Sequence, residues 1–228
     1  MFRQQCKSRR RIPAAVVILG VGAGLFLGCG QEEPGPQAPG AVLMNQQEYE
    51  DWEIALVEMR IEKNDRFSDP AGTPLAKAAL DTFVGLNYYF PRAELRFRTP
   101  LIPAAAPDTV ILAKPDGTQV PHIRRGSVRF HYAGRNHELA VFSPVGAERS
   151  DTVWLPFYDA TSGKDTYAGG RYLDLTVDPE GMIDLDFNYA YNPYCDYDPE
   201  AWICTLPPPE NRLPFAVEAG EKTFGGSH

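Results

Sequence analysis

Three aspartates sit at alternating positions in two neighbouring β-type segments, Asp174 within Arg171–Val177 and Asp184 and Asp186 within Met182–Phe187. If these segments pair as a hairpin, Leu173, Leu175 and Val177 meet Phe187, Leu185 and Ile183. Alternation then gathers the acids on the opposite face, beside Tyr172, Thr176 and Asn188. Like charges across a strand pair are unfavourable. Such a face needs water, a cation such as Arg171, a hard metal ion or a raised pKa. A solvated face or an internal ion pair is the plainer solution. The functional ones are a Ca²⁺ or Mg²⁺ site held by Asp174, Asp184 and Asp186, or a proton-transfer carboxylate.

A second polar concentration is the loop Phe157–Arg171. Gly163, Gly169 and Gly170 permit positive φ there. Thr161, Ser162 and the loop amides could form an anion nest, with Lys164 and Arg171 as countercharges. The spacing is not that of a Walker loop. A Ser162–Lys164 nucleophile pair is conceivable but weakly signalled, and Asp159 and Thr161 would equally serve to tie up the turn through side-chain-to-backbone bonds. The third concentration is Leu185–Arg212. Cys195 and Cys204 enclose eight residues there, and in an exported protein a disulfide is the default. A zinc site would need two more soft ligands. Tyr189, Tyr191, Tyr194, Tyr197 and Trp202 make the segment aromatic, for carbohydrate or hydrophobic-ligand contact or, more commonly, as a packed lid.

The elements that must position these residues are mostly β. Asn45 and Glu48 form a capping box ahead of one helix. Tyr49, Trp52, Leu56 and Met59 recur at helical spacing, making a stripe that should pack on a sheet, and the helix should end near Asn64. A further helical turn is expected around Leu75–Asp81. Nine short strands follow: Glu94–Thr99, Thr109–Ala113, Gln119–Ile123, Ser127–Tyr132, Glu138–Phe142, Thr152–Tyr158, Arg171–Val177, Met182–Phe187 and Phe215–Val217. Together they predict a mainly β (α+β) domain, a small β-barrel or two-sheet roll with one N-terminal amphipathic helix. In the hairpin joining the fourth and fifth strands, Val128 should face Val141 and Phe130 should face Leu139. That register puts His131 and His137 on opposite faces, where they cannot share a metal. His122 and His228 are isolated.

The N-terminus sets the address. Five cations (Arg3, Lys7, Arg9, Arg10, Arg11) precede a seventeen-residue apolar run, Ile12–Gly28. A spanning helix needs about 20 apolar residues, so the run reads as the core of a signal peptide. It ends in Leu25-Phe26-Leu27-Gly28-Cys29, which resembles the lipobox of bacterial lipoproteins, with Phe26 where Leu is usual. The resemblance implies cleavage before Cys29, acylation of Cys29, and a membrane-anchored protein of the bacterial envelope facing outside the cytoplasm. Residues 29–40, rich in Pro and Gly, read as a flexible tether, and residues 41–228 as a single domain. Removing residues 1–28 lowers Lys+Arg from 22 to 17 against 30 Asp+Glu, leaving the mature chain near −13. That charge opposes nucleic acid and anionic lipid surfaces as direct partners.

Several strings within residues 50–221 carry a further resemblance. They are Asp159-Ala-Thr-Ser-Gly, Thr166-Tyr167, Gly170-Arg171-Tyr172-Leu173, Asp186-Phe-Asn, Tyr191-Asn-Pro, the two cysteines, Leu206-Pro-Pro, Asn211-Arg-Leu and Ala219-Gly-Glu. They resemble the prokaryotic domain-of-unknown-function family numbered 1684, departing from it at Tyr194 and Thr205. The resemblance implies a domain boundary and a site location, and no activity.

Three functions compete. One is a small-ligand pocket drawn from Asp159, Thr161, Ser162, Lys164, Tyr167, Arg171, Asp186, Asn188, Asn192 and Arg212. Another is a hydrolase-like or metal-dependent enzyme using the Asp159–Arg171 loop and Asp186. The third is an envelope interaction module that presents the aromatic loop to a protein partner. The preferred expectation is the small-ligand pocket.

Overall fold

The structure, a computed structural model, describes residues 37–225. Cys29 and the expected signal segment lie outside the described residues. Ala38 and Pro39 are tied to His131 and Asn136. The Ala38 amide donates to Asn136 Oδ1 at 3.2 Å and the His131 amide to the Pro39 carbonyl at 2.7 Å.

Helix α1 (Gln46–Ser68) begins as its cap demands. Asn45 Oδ1 accepts from the Glu48 amide at 3.0 Å, and Glu48 Oε2 accepts from the Asn45 amide at 2.8 Å. The helix runs four residues past Asn64 and buries Trp52, Leu56 and Phe67. A short α2 (Lys77–Leu80) occupies the expected turn. Among the described residues no helix is long and apolar enough to cross a membrane.

Seven strands follow: β1 (Arg96–Pro100), β2 (Ile102–Ala113), β3 (Gln119–Tyr132), β4 (Arg135–Pro144), β5 (Thr152–Phe157), β6 (Arg171–Thr176) and β7 (Met182–Asp186). Strands β2 to β6 form one antiparallel meander in chain order, and β1 pairs with β7 in a separate two-stranded sheet. The sheets are not closed into a barrel. They share one core, in which Phe97, Ile183 and Leu185 of the small sheet meet Phe130, Leu155 and Leu173 of the large one.

Three strand expectations are corrected. The segments Gln119–Ile123 and Ser127–Tyr132 are a single strand, continuous through a register shift at Gly126. A Cβ at Gly126 (φ +152°) would sit 2.1 Å from the Ile102 carbonyl oxygen, so only glycine fits this bend. Phe215–Val217 is not a strand. Its backbone is held by the Asp159–Arg171 loop instead: the Phe215 carbonyl accepts from the Ala160 amide at 3.0 Å, and Val217 bonds the Asp159 and Arg171 side chains. In the β3–β4 hairpin Val128 faces Leu139 and Phe130 faces His137, two residues away from the expected register. Parity is preserved, so the histidines diverge. His131 contacts Asn136 Oδ1 at 2.9 Å, while His137 packs on Phe130 and Phe215 at ring distances of 5.3 and 4.8 Å.

The largest correction concerns the expected aspartate hairpin. Strand β6 pairs with β5 (Leu173 opposite Leu155), and β7 pairs with β1 (Leu185 opposite Phe97). Only Val177 and Ile183 bridge the two segments. The chain crosses from one sheet to the other at the Asp178 turn, where Asp178 Oδ1 accepts from the Glu180 and Met182 amides. The apolar residues of the two segments still meet, but across the core between sheets.

Candidate functional site

The Asp159–Arg171 loop is a buried lock. Both side chains are almost wholly removed from water, and Arg171 Nη2 meets Asp159 Oδ2 at 2.8 Å. The same guanidinium donates to the carbonyls of Val217 (2.7 Å), Glu221 (3.1 Å) and Ala219. Asp159 also accepts from the Val217 amide at 2.9 Å, and from the Thr161 amide and hydroxyl at 3.0 and 2.6 Å. Ser162 Oγ accepts from the Asp159 amide at 3.1 Å. Burial pulls the Arg171 pKa below its ordinary value, with Asp159 opposing that pull. These groups tie the loop to the C-terminal segment and face each other. Lys164 is exposed and Tyr167 half-buried, and Arg212 lies over the Tyr158 ring at 4.2 Å. Asn211, which sequence reading passed over, staples β4 to β5. Its Nδ2 donates to the Ala140 and Pro156 carbonyls at 2.8 and 2.7 Å.

The three aspartates are separated by the crossing between sheets. Asp184 is exposed on the small sheet, 3.6 Å from Arg96 and 3.7 Å from Arg98. Asp174, on the large sheet, accepts from the Tyr191 hydroxyl at 2.9 Å. Asp186 is buried. It accepts from Trp52 Nε1 (2.7 Å) and from the Asn188 amide and Nδ2 (2.9 and 2.7 Å), and so docks helix α1. Burial raises its pKa. Asn188 Nδ2 also donates to the Arg92 carbonyl at 2.8 Å, and its Oδ1 accepts from the Arg92 amide. Among the described residues no group of three or more His, Cys, Asp or Glu is gathered to hold a metal ion.

What the fold does build is a cleft of about 600 Å³ between the C-terminal half of α1, the β5–β6 edge and the segment after β7. Its base is Glu221, only 2% exposed. Glu221 accepts from Lys63, from Tyr88 and Tyr197, and from the Asn192 amide at 2.8 Å. The Lys63 ammonium lies over the Phe67, Tyr191 and Tyr197 rings at 5.3, 5.2 and 5.9 Å. Burial and the Glu221 charge push the Tyr88 and Tyr197 hydroxyls well up from their ordinary range. Of the residues named from sequence, Asp174, Asn188 and Asn192 line this cleft, with Tyr189, Tyr191, Tyr194 and Trp202 of the aromatic segment, while Asp159, Thr161, Ser162, Lys164, Tyr167, Arg171, Asp186 and Arg212 do not. Lys63 was missed, and Glu221 was named only within the Ala219-Gly-Glu string. Lys63 extends the 49-52-56-59 stripe by one helical step, and a cation on an apolar stripe signals a buried partner.

The outer wall is the disulfide loop. Cys195 and Cys204 are bonded, and Tyr194 and Trp202 meet edge to face at 5.1 Å beside them. Behind it, Asp196 accepts from Asn192 Nδ2, Thr223 Oγ1 and the Phe224 amide at 2.8, 2.8 and 2.7 Å. Burial raises its pKa from 3.8 to about 6 despite those donors.

A five-stranded meander, a two-stranded sheet and one long docked helix, with a cleft beside the helix, define an open two-sheet α+β domain. The chain belongs to the family described as "Protein of unknown function (DUF1684)", whose model matches residues 81–222. The solution NMR structure of an uncharacterized protein from Haloarcula marismortui is similar, at 36% identity and a TM-score of 0.62. The match covers 78% of this chain and 98% of that one. No curated protein matches the chain.

Two predictions follow from these contacts. Arg171→Met leaves Asp159 charged and buried, and should cost about 3–5 kcal/mol in urea unfolding. Adding Asp159→Asn should restore part of that loss. Strictly additive losses would show that the two groups do not act as a pair. For Asp196 the folded pKa lies above the unfolded one, so the native state holds the proton more tightly. Its contribution is fully present below the unfolded value and lost as pH rises from about 4 through 6. Urea midpoints should therefore fall over that window, and Asp196→Asn should flatten the fall. An unchanged slope in the variant would refute the assignment.

Proposed function

We propose that this is a lipid-anchored protein of the bacterial envelope whose domain binds a small molecule in the cleft at Lys63 and Glu221. The cavity itself carries the binding reading. It is concave, partly open and largely aromatic, and its few polar groups are fixed by one another, as in small-molecule sites. The pocket drawn from sequence moves accordingly, from the Asp159–Arg171 loop to the opposite side of the C-terminal segment that the loop holds. The hydrolase-like alternative on that loop loses its motivation, because Asp159 and Arg171 face each other and not a cavity. A partner-binding role keeps one supporting observation: Tyr194, Trp202 and Ile203 are each nearly half exposed.

The anchor reading rests on the basic N-terminus, the seventeen-residue apolar run and Cys29 at its end. Two acyl chains would give durable attachment.

Heteronuclear NMR of the protein with a panel of small metabolites should show saturable shift changes confined to residues 59–67, 188–194 and 202–204 and to Tyr88, Trp154, Tyr172, Asp174 and Glu221. Changes elsewhere, or none, would oppose the binding reading. Labelling of cells with an alkynyl palmitate analogue should mark the wild-type chain and not Cys29→Ser, which should also leave the membrane fraction. Equal labelling of both would refute acylation at Cys29.

A further inference from the structure

The cleft wall says which chemistry it suits. Eight of the eighteen lining residues are Phe, Tyr or Trp, yet the charged ones balance, Lys63 and Arg66 against Asp174 and Glu221. Lys63 is paired with Glu221 at the base and already occupies the ring faces that would attract an organic cation. An anion finds its best countercharge neutralised and Asp174 on the wall beside it. A wholly apolar ligand would strip water from Asp174 and Arg66 without replacing it. What remains is a neutral molecule with an apolar face and several hydroxyls.

Tyr194 and Trp202 strengthen the case. They are 48% and 44% exposed at the cleft mouth, and their rings are set by a short covalent loop. Large aromatic faces held in water gain most when a ligand covers them. Asp174, on the exposed surface with one bond from Tyr191, has free lone pairs for hydroxyl donors. We propose that the cleft takes a neutral saccharide. One sugar face would stack on Trp202, with Tyr194 bracing that ring edge to face, and the sugar hydroxyls would donate to Asp174. This rests on the cleft being the ligand site.

The test is tryptophan fluorescence of the full-length chain, since Trp154 and Trp202 both line the cleft. Titrants are maltotriose, cellotriose and triacetylchitotriose as neutral saccharides, glucose phosphate as an anion, choline as a cation and phenylnaphthylamine as an apolar probe. Saturable quenching by at least one neutral saccharide is expected. It should weaken about tenfold in Trp202→Ala, with the melting temperature retained because the side chain is half exposed. Tyr194→Ala and Asp174→Asn should each weaken it as well. Binding of phenylnaphthylamine, choline or glucose phosphate without any saccharide would overturn the saccharide assignment and leave the ligand cleft standing. Saccharide binding undiminished in all three variants would overturn the assignment of the wall. Silence from every titrant would bring down both readings.

Discussion

The Arg171 guanidinium is the constraint on which the rest depends. It reaches from the start of β6 to three carbonyls of residues 217–221, with Asp159 as its countercharge. A buried guanidinium is tolerated only when its donors are met and its charge is paired. Here the requirement is met by a stretch of chain outside the seven strands, paired, among the described residues, only through the Tyr88–Glu221 bridge. Fixing that stretch fixes Glu221, and Glu221 in turn fixes Lys63 on α1 and the Asn192 turn. The cleft is therefore a by-product of how one internal charge is satisfied. A change in the Asp159 loop should reach the cleft through this chain of contacts, without touching any ligand.

How much of this was legible in the sequence depends on the range of the signal. The Asn45–Glu48 cap was readable because both partners lie within one turn. So were the faces of the strands, because alternation is local. Pairing was not. Leu173, Leu175, Ile183 and Leu185 obey one rule whether their strands lie side by side or face each other across a core, and the fold uses the second arrangement. That single ambiguity assembled an acidic face that the structure divides between two sheets. The cysteine pair was readable because both partners lie in one short segment. Phe215–Val217 looked like a strand by composition, although the Phe215 carbonyl meets a loop amide and Val217 is held by the Asp159 and Arg171 side chains.

The site was half legible for a related reason. The loop motifs marked Asp159 and Arg171 as unusual, and they are, but their role is internal. Asn192 was named for its setting in an aromatic segment and does line the cleft. Lys63 and Glu221 lie 158 residues apart, and nothing in either neighbourhood announces the other. Helix α1 also lies before residues 81–222, the span of the family model. One cleft wall is thus built by chain outside that span, so members that differ in this helix can share the sheets while presenting a different cavity.

The bond between Cys195 and Cys204 adds a condition of place and time. It closes a loop of few residues, so it constrains the unfolded chain only modestly, by about 2–3 kcal/mol. Its larger effect is on the wall that carries Tyr194 and Trp202. Thiols stay reduced in the cytosol and join in oxidising compartments. Where the two thiols are reduced the wall is untied, and where they are joined it is set. Covalent chemistry at the rim would so make the shape of the cavity a report on the redox poise around it.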